Sequence, residues 1–217
     1  MAAFIGDRRP ERIYYLAAAH SGSGKTSAAD LSSDYQLGIR VNVQGPVNCL
    51  SAIAEAGLDS RFVFASSSLV FAPLDAPSAR IDETSPMAPN ESYAIEKLLA
   101  GRARKDFRDR KGVFAAVAFL FNHESRHRRP GFFSSHVASG IGRILRGETD
   151  HLEVGNLDSV VDWSYAGDVV AALEMIAGSD RPRDFVVASG VGHSIREFLE
   201  SAFRHAGLEW KKHAITL

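Results

Sequence analysis

The sequence predicts an α/β fold with a mainly parallel sheet, on three observations. Short runs of β-branched and aromatic residues, each of strand length, recur along the chain. Longer stretches with helical spacing of apolar positions lie between them, and parallel strands joined by covering helices require that alternation. The chain has 217 residues, 45% of them hydrophobic, which is enough for one substantial core.

In chain order, Arg12 to Ala18 (RIYYLAA) reads as the first strand. Val43 to Ala56 reads as a helix, with Val47, Leu50, Ile53 and Ala54 at helical spacing and Gly57 as its stop. Arg61 to Ser68 (RFVFASSS) is the second strand and Tyr93 to Lys111 the second helix. Val113 to Phe121 follows as the third strand, then helices over Phe132 to Arg146, closed by Gly147, and Tyr165 to Ala177, closed by Gly178. Asp184 to Gly190 is the fourth strand, and a last helix begins near Ser194, which forms a capping box with Glu197. No repeat, low-complexity tract or linker interrupts this order, so residues 1–217 read as one domain. In such sheets ligands sit beyond the carboxyl ends of the strands, so chemistry is expected just after those runs.

Composition excludes several classes of function. With 25 Lys+Arg against 26 Asp+Glu the net charge is −1, which removes the electrostatic reason to expect a nucleic acid or an acidic membrane as partner. No apolar run approaches the ~20 residues of a membrane span. The single cysteine, Cys49, can form neither an internal disulfide nor a thiolate cage, which fits a reducing cytoplasm. MAAFIGDRRPER at the N-terminus lacks the apolar core and cleavage pattern of a signal peptide. His20, His123 and His136 have no acidic or cysteine ligand at short range, so no metal site is expected.

Ser21 to Thr26 (SGSGKT) is similar to the end of a nucleotide-triphosphate loop, with Lys25 and Thr26 in the required order. Its opening glycine is replaced by Ala19, and the TSAADLSSDYQ that follows is poor in helical periodicity, so Gly22 and Gly24 read as a Gly/Ser loop. A different pair carries more. Tyr93 and Lys97 stand in Y-A-I-E-K, four apart and therefore on one helical face. A tyrosine with pKa near ~10 is a poor base, and a neighbouring cation lowers that value by favouring the phenolate. Ser66, Ser67 and Ser68 end the preceding strand, where a hydroxyl can hold a substrate oxygen.

Together these residues resemble the extended short-chain dehydrogenase/reductases, the NAD-dependent epimerase/dehydratase family, which act on nucleotide sugars with NAD or NADP. The likeness is carried by Leu16, Ala17 and Ala18 after the first strand, by NVQGPVNCL from Asn42, by the serine-ended strand, and by Tyr93 with Lys97. LFNHES (Leu120 to Ser125), VGNLDSVVDWSYAGDVV (Val154 to Val170) and DFVVASGVGHSIREFLE (Asp184 to Glu200) narrow it to the GDP-mannose 4,6-dehydratases. The resemblance implies a partial Rossmann-like sheet with flanking helices and a small C-terminal substrate-side portion, about 122–217. It implies Tyr93 as the acid/base at the sugar 4-hydroxyl, Lys97 as its tuner and ribose ligand, and Ser67 as the third catalytic residue. Leu16, Ala17, Ala18, His123 and Arg128 would contact NADP, and Asn122 the sugar nucleotide.

Two positions depart from the family pattern. Leu69 stands where the dehydratases carry the Glu that removes the C5 proton, and Val161 where they carry an Arg before the Asp of VVDW. Hydride transfer needs neither. The resemblance also places Met1 at the helix before the family's fourth strand and the last residues, HAITL, before its substrate-closing segment. Eleven residues precede the first strand, against about 30 or more for a βαβ unit with its Gly-rich turn. Weak NADP binding and a strand edge that invites a second copy are the expectations, so a homo-oligomer is expected. The alternatives are a 4-ketoreductase or epimerase of the same superfamily, or a non-catalytic remnant that binds a nucleotide sugar or a partner chain.

Three further segments have simple readings. Gly101 to Lys111, with six basic and two acidic residues, reads as a solvated helix face. Asp158 reads as a turn cap and Asp162 as a residue that orients neighbouring backbone. Arg126, His127, Arg128 and Arg129, just past a strand end, suit a diphosphate.

Overall fold

The computed structural model describes residues 1–20, 27–73 and 80–216. The phosphate-loop reading of Ser21 to Thr26 lies outside them. In chain order the elements begin with α1 (Ala2–Arg8), β1 (Arg12–Tyr15) and α2 (Ala28–Gly38). A π-helical segment (Ile39–Gln44) leads into α3 (Gly45–Glu55), and β2 (Arg61–Ser67) ends in a 3₁₀ turn (Ser68–Val70). Then come α4 (Ser92–Lys111), β3 (Ala115–Leu120), β4 (Asn122–Glu124), α5 (Phe133–Leu145), β5 (Leu152–Val154) and β6 (Val160–Tyr165). The chain closes with α6 (Ala166–Gly178), β7 (Phe185–Val187), β8 (Gly192–Ser194), α7 (Ile195–His205), α8 (Trp210–His213) and β9 (Ala214–Thr216).

These elements form two compact units, one of Met1–Leu120 with Val170–Val187 and one of Phe121–Val169 with Ala188–Leu217. In the first, a four-stranded parallel sheet runs in the order β1-β2-β3-β7. Its centre is β2 and β3, and Phe62, Val63, Phe64, Ala115, Ala116 and Ala118 are fully buried there. Strands covered on both faces read as continuous apolar runs, which is why the sequence identifies them. Leu50 and Ile53 of α3 pack on this core.

Each strand is shorter than its apolar run: β1 and β2 lose their last residues at the carboxyl end of the sheet, and β3 and β7 lose residues at both ends. Leu16, Ala17 and Ala18 follow β1 as exposed, irregular chain, and Ser68 turns away into the 3₁₀ turn. The expected helix at Val43 begins two residues later at Gly45, after the π segment. Residues ahead of β1 fold as α1, where the resemblance places a helix. Two helices were not expected, α2 and the four-residue α8. The Ser/Asp-rich stretch read as non-helical is α2, whose N-cap Ser27 accepts a bond from Asp30 N at 3.1 Å.

The carboxyl end of α6 is satisfied differently from the glycine stop read at Gly178. The Arg61 guanidinium donates to the carbonyls of Ala177 (2.9 Å) and Ser179 (2.6 Å). The basic run on α4 is also not all solvated. Arg104 is 3% exposed and donates to Ala115 O (3.0 Å) and to Asp184 (2.8 Å), while Arg108 donates to the other Asp184 oxygen (3.1 Å).

The second unit holds a three-stranded sheet, β4-β6-β8, and the parallel pair β5-β9. Val137, Ile141, Leu152, Leu199 and Phe203 form its core, and Trp163 stacks on Phe133 and lies tilted against Phe198. The capping box at Ser194 is present, with Glu197 N donating to Ser194 Oγ and Ser194 N to the Glu197 carboxylate. Asp162 accepts from Ser189 N (2.9 Å) and Gly190 N (2.8 Å), as its reading required. Asp158 is a correction: Asn156 caps that turn by accepting from Asp158 N, and the Asp158 carboxylate pairs with Arg196 at 2.9 Å.

Candidate active site

Helix α4 brings three ionisable side chains onto one inward face. Tyr93, Glu96 and Lys97 occupy positions i, i+3 and i+4, so their side chains are neighbours. Lys97 is 1% exposed. Its ammonium donates to Ala65 O at 2.9 Å, near the carboxyl end of β2, and lies 4.9 Å from the Phe64 ring and 5.6 Å from the Tyr93 ring. Those contacts replace only part of its hydration, and burial pushes Lys97 down to about 8 while Glu96 opposes the shift.

Tyr93 is half-buried, with the His20 ring edge-on at 4.9 Å. Its phenol lies above the ordinary value, through burial first and the Glu96 charge second. The sequence led to the opposite expectation, that the lysine would lower it. The ammonium is instead drawn toward Ala65 O, and a carboxylate stands on the same face. Ser67, partly exposed at the end of β2, accepts a bond from Leu69 N at 3.3 Å, which leaves its O–H free to donate.

A buried amide ties these parts together. Asn42, fully buried in the π segment, accepts from Ala19 N (2.9 Å) and donates to Ala19 O (2.7 Å) and to Glu96 (2.7 Å). An α-turn carrying one extra residue re-aims a side chain, and π segments do this at functional positions. The sequence reading did not single out Asn42 and Glu96 as a pair.

Asn122, His123 and Arg128 lie in the second unit. Asn122 is exposed at the start of β4, paired with Trp163 of β6. His123 Nδ1 lies 2.9 Å from Phe121 O, a geometry that leaves Nε2 as the free acceptor. Arg128 lies 3.4 Å from Glu124 and 3.7 Å over the Phe132 ring, and Arg126 donates to His127 Nε2 at 3.2 Å. Within this basic turn, Arg128 therefore already has a counter-charge.

A family model described as GDP-mannose 4,6 dehydratase matches residues 1–216. The chain belongs to the GDP-mannose 4,6-dehydratase family. GDP-mannose 4,6 dehydratase 2 of Arabidopsis thaliana is 33% identical over 207 residues, which cover 94% of this chain and 53% of that protein. GDP-mannose 4,6 dehydratase of Homo sapiens is 32% identical over 209 residues, covering 95% and 54%. The chain thus spans about half the length of the curated relatives it matches. Among solved structures, RMD from Pseudomonas aeruginosa complexed with NADPH superposes with a TM-score of 0.84 at 24% identity, covering 100% of this chain and 72% of that one. At that identity the likeness shows the Rossmann-like fold. A putative epimerase from Burkholderia cenocepacia J2315 gives 0.78 at 27%, covering 100% and 64%.

Within the GDP-mannose 4,6-dehydratase family frame, the two departures now have places. Leu69 is exposed in the 3₁₀ turn directly after Ser67. Val161 sits in β6 opposite His193 of β8.

Proposed function

We propose that this chain carries the hydride-transfer machinery of a nucleotide-sugar enzyme of the GDP-mannose 4,6-dehydratase type, acting at C4 of a GDP-linked sugar. One observation carries the reading: Tyr93 and Lys97 share the inner face of α4, with the lysine against the carboxyl end of a β2 that finishes at Ser67. On this reading Tyr93 Oη exchanges a proton with the sugar's C4 oxygen, and the Ser67 hydroxyl donates to the same oxygen. Lys97 has three N–H donors and its bond to Ala65 O uses one, so the donors needed for ribose hydroxyls are present. Leu16, Ala17 and Ala18, exposed beyond β1, flank the cofactor, which is NADP on this reading. When bound, the nicotinamide supplies or accepts the hydride. Asn122, His123 and Arg128, within the substrate-side region at about 122–217, address the sugar nucleotide and NADP.

A second reading is favoured by Leu69. A leucine cannot take a proton from C5, so the same machinery without elimination is that of a 4-ketoreductase or epimerase. Supporting a cytoplasmic setting, Cys49 is a buried free thiol, and no helix among the described residues is long and apolar enough to cross a membrane. Association of copies is part of the proposal. The outer edge of β1 carries no strand among the described residues, and Leu31, Tyr35 and Ile39 from α2 and the π segment lie exposed, as do Ile95 and Leu99 of α4.

The test begins with NADPH fluorescence on the wild-type chain. Saturable binding, with Tyr93→Phe keeping the binding and losing about 10²–10⁴-fold in reduction of a 4-keto sugar nucleotide, supports the proposal. No binding at millimolar NADPH overturns it in favour of a non-catalytic remnant. GDP-mannose then separates the two enzymatic readings, since a 4-keto-6-deoxy product requires a base other than Leu69.

A further inference from the structure

Glu96 is a buried carboxylate, 6% exposed, that the proposed hydride transfer does not use. It lies on the face of α4 that carries Tyr93 and Lys97, and one of its oxygens accepts from Asn42 Nδ2 at 2.7 Å. The same Asn42 amide holds Ala19 by both its N–H and its carbonyl, at the end of the exposed turn that follows β1. All three bonds fix the amide in one orientation, with the oxygen toward Ala19 N and the nitrogen toward Ala19 O and Glu96. Gly38, the last residue of α2, lies against the Glu96 carboxylate, so that a β-carbon there would collide with it.

We propose that Glu96 is a positioning residue: acting through Asn42, it fastens the turn after β1 to the face of α4 that presents Tyr93 and Lys97, and it sets the charge those two side chains meet. The inference rests on the reading of Tyr93 and Lys97 as the hydride-transfer pair. Among the described residues, the titratable groups facing Tyr93 are the His20 ring, from the segment after β1, and Glu96 and Lys97 on its own helix. Of these, Glu96 disfavours the phenolate, and at Lys97 it favours the ammonium against burial. Tyr93 therefore stands as a phenol at neutral pH, ready to give a proton to a developing alkoxide, the role ketone reduction asks of it.

The test is a ligand-free titration of the phenolate absorbance, with Tyr93→Phe subtracted to isolate this one tyrosine. The wild-type Tyr93 midpoint is expected above the ~10 of a free tyrosine. Glu96→Gln keeps an acceptor for Asn42 but removes the charge, and is expected to lower that midpoint by about half a unit or more. Glu96→Asp, which keeps the charge, should stay with the wild type. Hydrogen exchange at Ala19 N should quicken in Asn42→Ala and in Glu96→Ala. A Gln variant whose Tyr93 midpoint equals that of the wild type overturns the proposal. If that variant does not fold, a wild-type midpoint at or below ~10 overturns it equally. Because no cofactor is present, failure of NADPH binding would sink the hydride-transfer reading and leave this titration standing.

Discussion

Lys97 shows how far one side chain can be held from its preferred state. A drop from the usual lysine value to about 8 corresponds to a penalty on the order of 3 kcal/mol for keeping the ammonium inside the fold. The sign of the pH dependence follows from proton counting. Between about 8 and ~10.4 the unfolded chain holds the lysine proton and the folded chain has released it, so this group makes stability rise with pH across that window. Tyr93 acts above it: from the ~10 of the unfolded chain up to its raised folded value the fold holds a phenol proton that the unfolded chain has released, so stability falls with pH across that window and levels off beyond it. Lys97→Met is therefore expected to leave stability at pH 7 unchanged or higher, to flatten the rise above pH 8 and to abolish turnover, as read by urea melts across pH and by NADPH consumption. A clear loss of stability at pH 7 would show that the bond to Ala65 O outweighs the burial cost. Leu69→Glu belongs to the same scale: in an exposed turn it is expected to cost little stability and, with GDP-mannose and NADP+ supplied so that C4 can be oxidised to the ketone that acidifies C5–H, to add exchange of the C5 proton with solvent.

At the scale of the element, α4 departs from an ordinary surface helix at five positions. It buries Glu96, Lys97 and Arg104 and exposes Ile95 and Leu99. Arg104 and Arg108 share Asp184, which also accepts from Val117 N at 3.3 Å, so one carboxylate links α4, β3 and the segment entering β7. Asp184→Ala would leave Arg104 buried without its acid, at a cost of roughly 3–5 kcal/mol. Asp109→Ala, which breaks an exposed, solvent-screened pair with Lys105 on the same helix, is expected to leave the urea midpoint close to that of the wild type. Urea midpoints of the two variants check the contrast. These exceptions also explain what the sequence could reveal. The core strands announced themselves through unbroken apolar runs, and the Tyr93 and Lys97 spacing placed the site. The basic stretch on α4 read as solvated because charge alone does not say which residues find a buried partner eighty positions away. α2 escaped because its exposed Ser and Asp residues obscure the spacing. β4, β5, β8 and β9 have three residues each, too few for alternation to register.

At the scale of the molecule, the exposed apolar side chains of α2, the π segment and α4 belong to helices joined by the Ser92 Oγ to Tyr35 Oη bond of 3.1 Å. Leu99→Glu is expected to reduce the sedimenting mass from a multiple of the chain to one copy without lowering helix content. A wild-type chain already sedimenting as a single copy would refute the association. The first unit is also discontinuous, since the polypeptide leaves it at Leu120 and returns at Val170 to contribute β7. During synthesis Arg104 emerges 80 residues before Asp184. At ordinary translation rates that interval lasts about 4–16 s, during which the nascent chain holds a cation meant for the interior with no acid to receive it. Ribosome-bound intermediates of this protein must therefore shelter a half-finished sheet until the strand that seals its far side has been made.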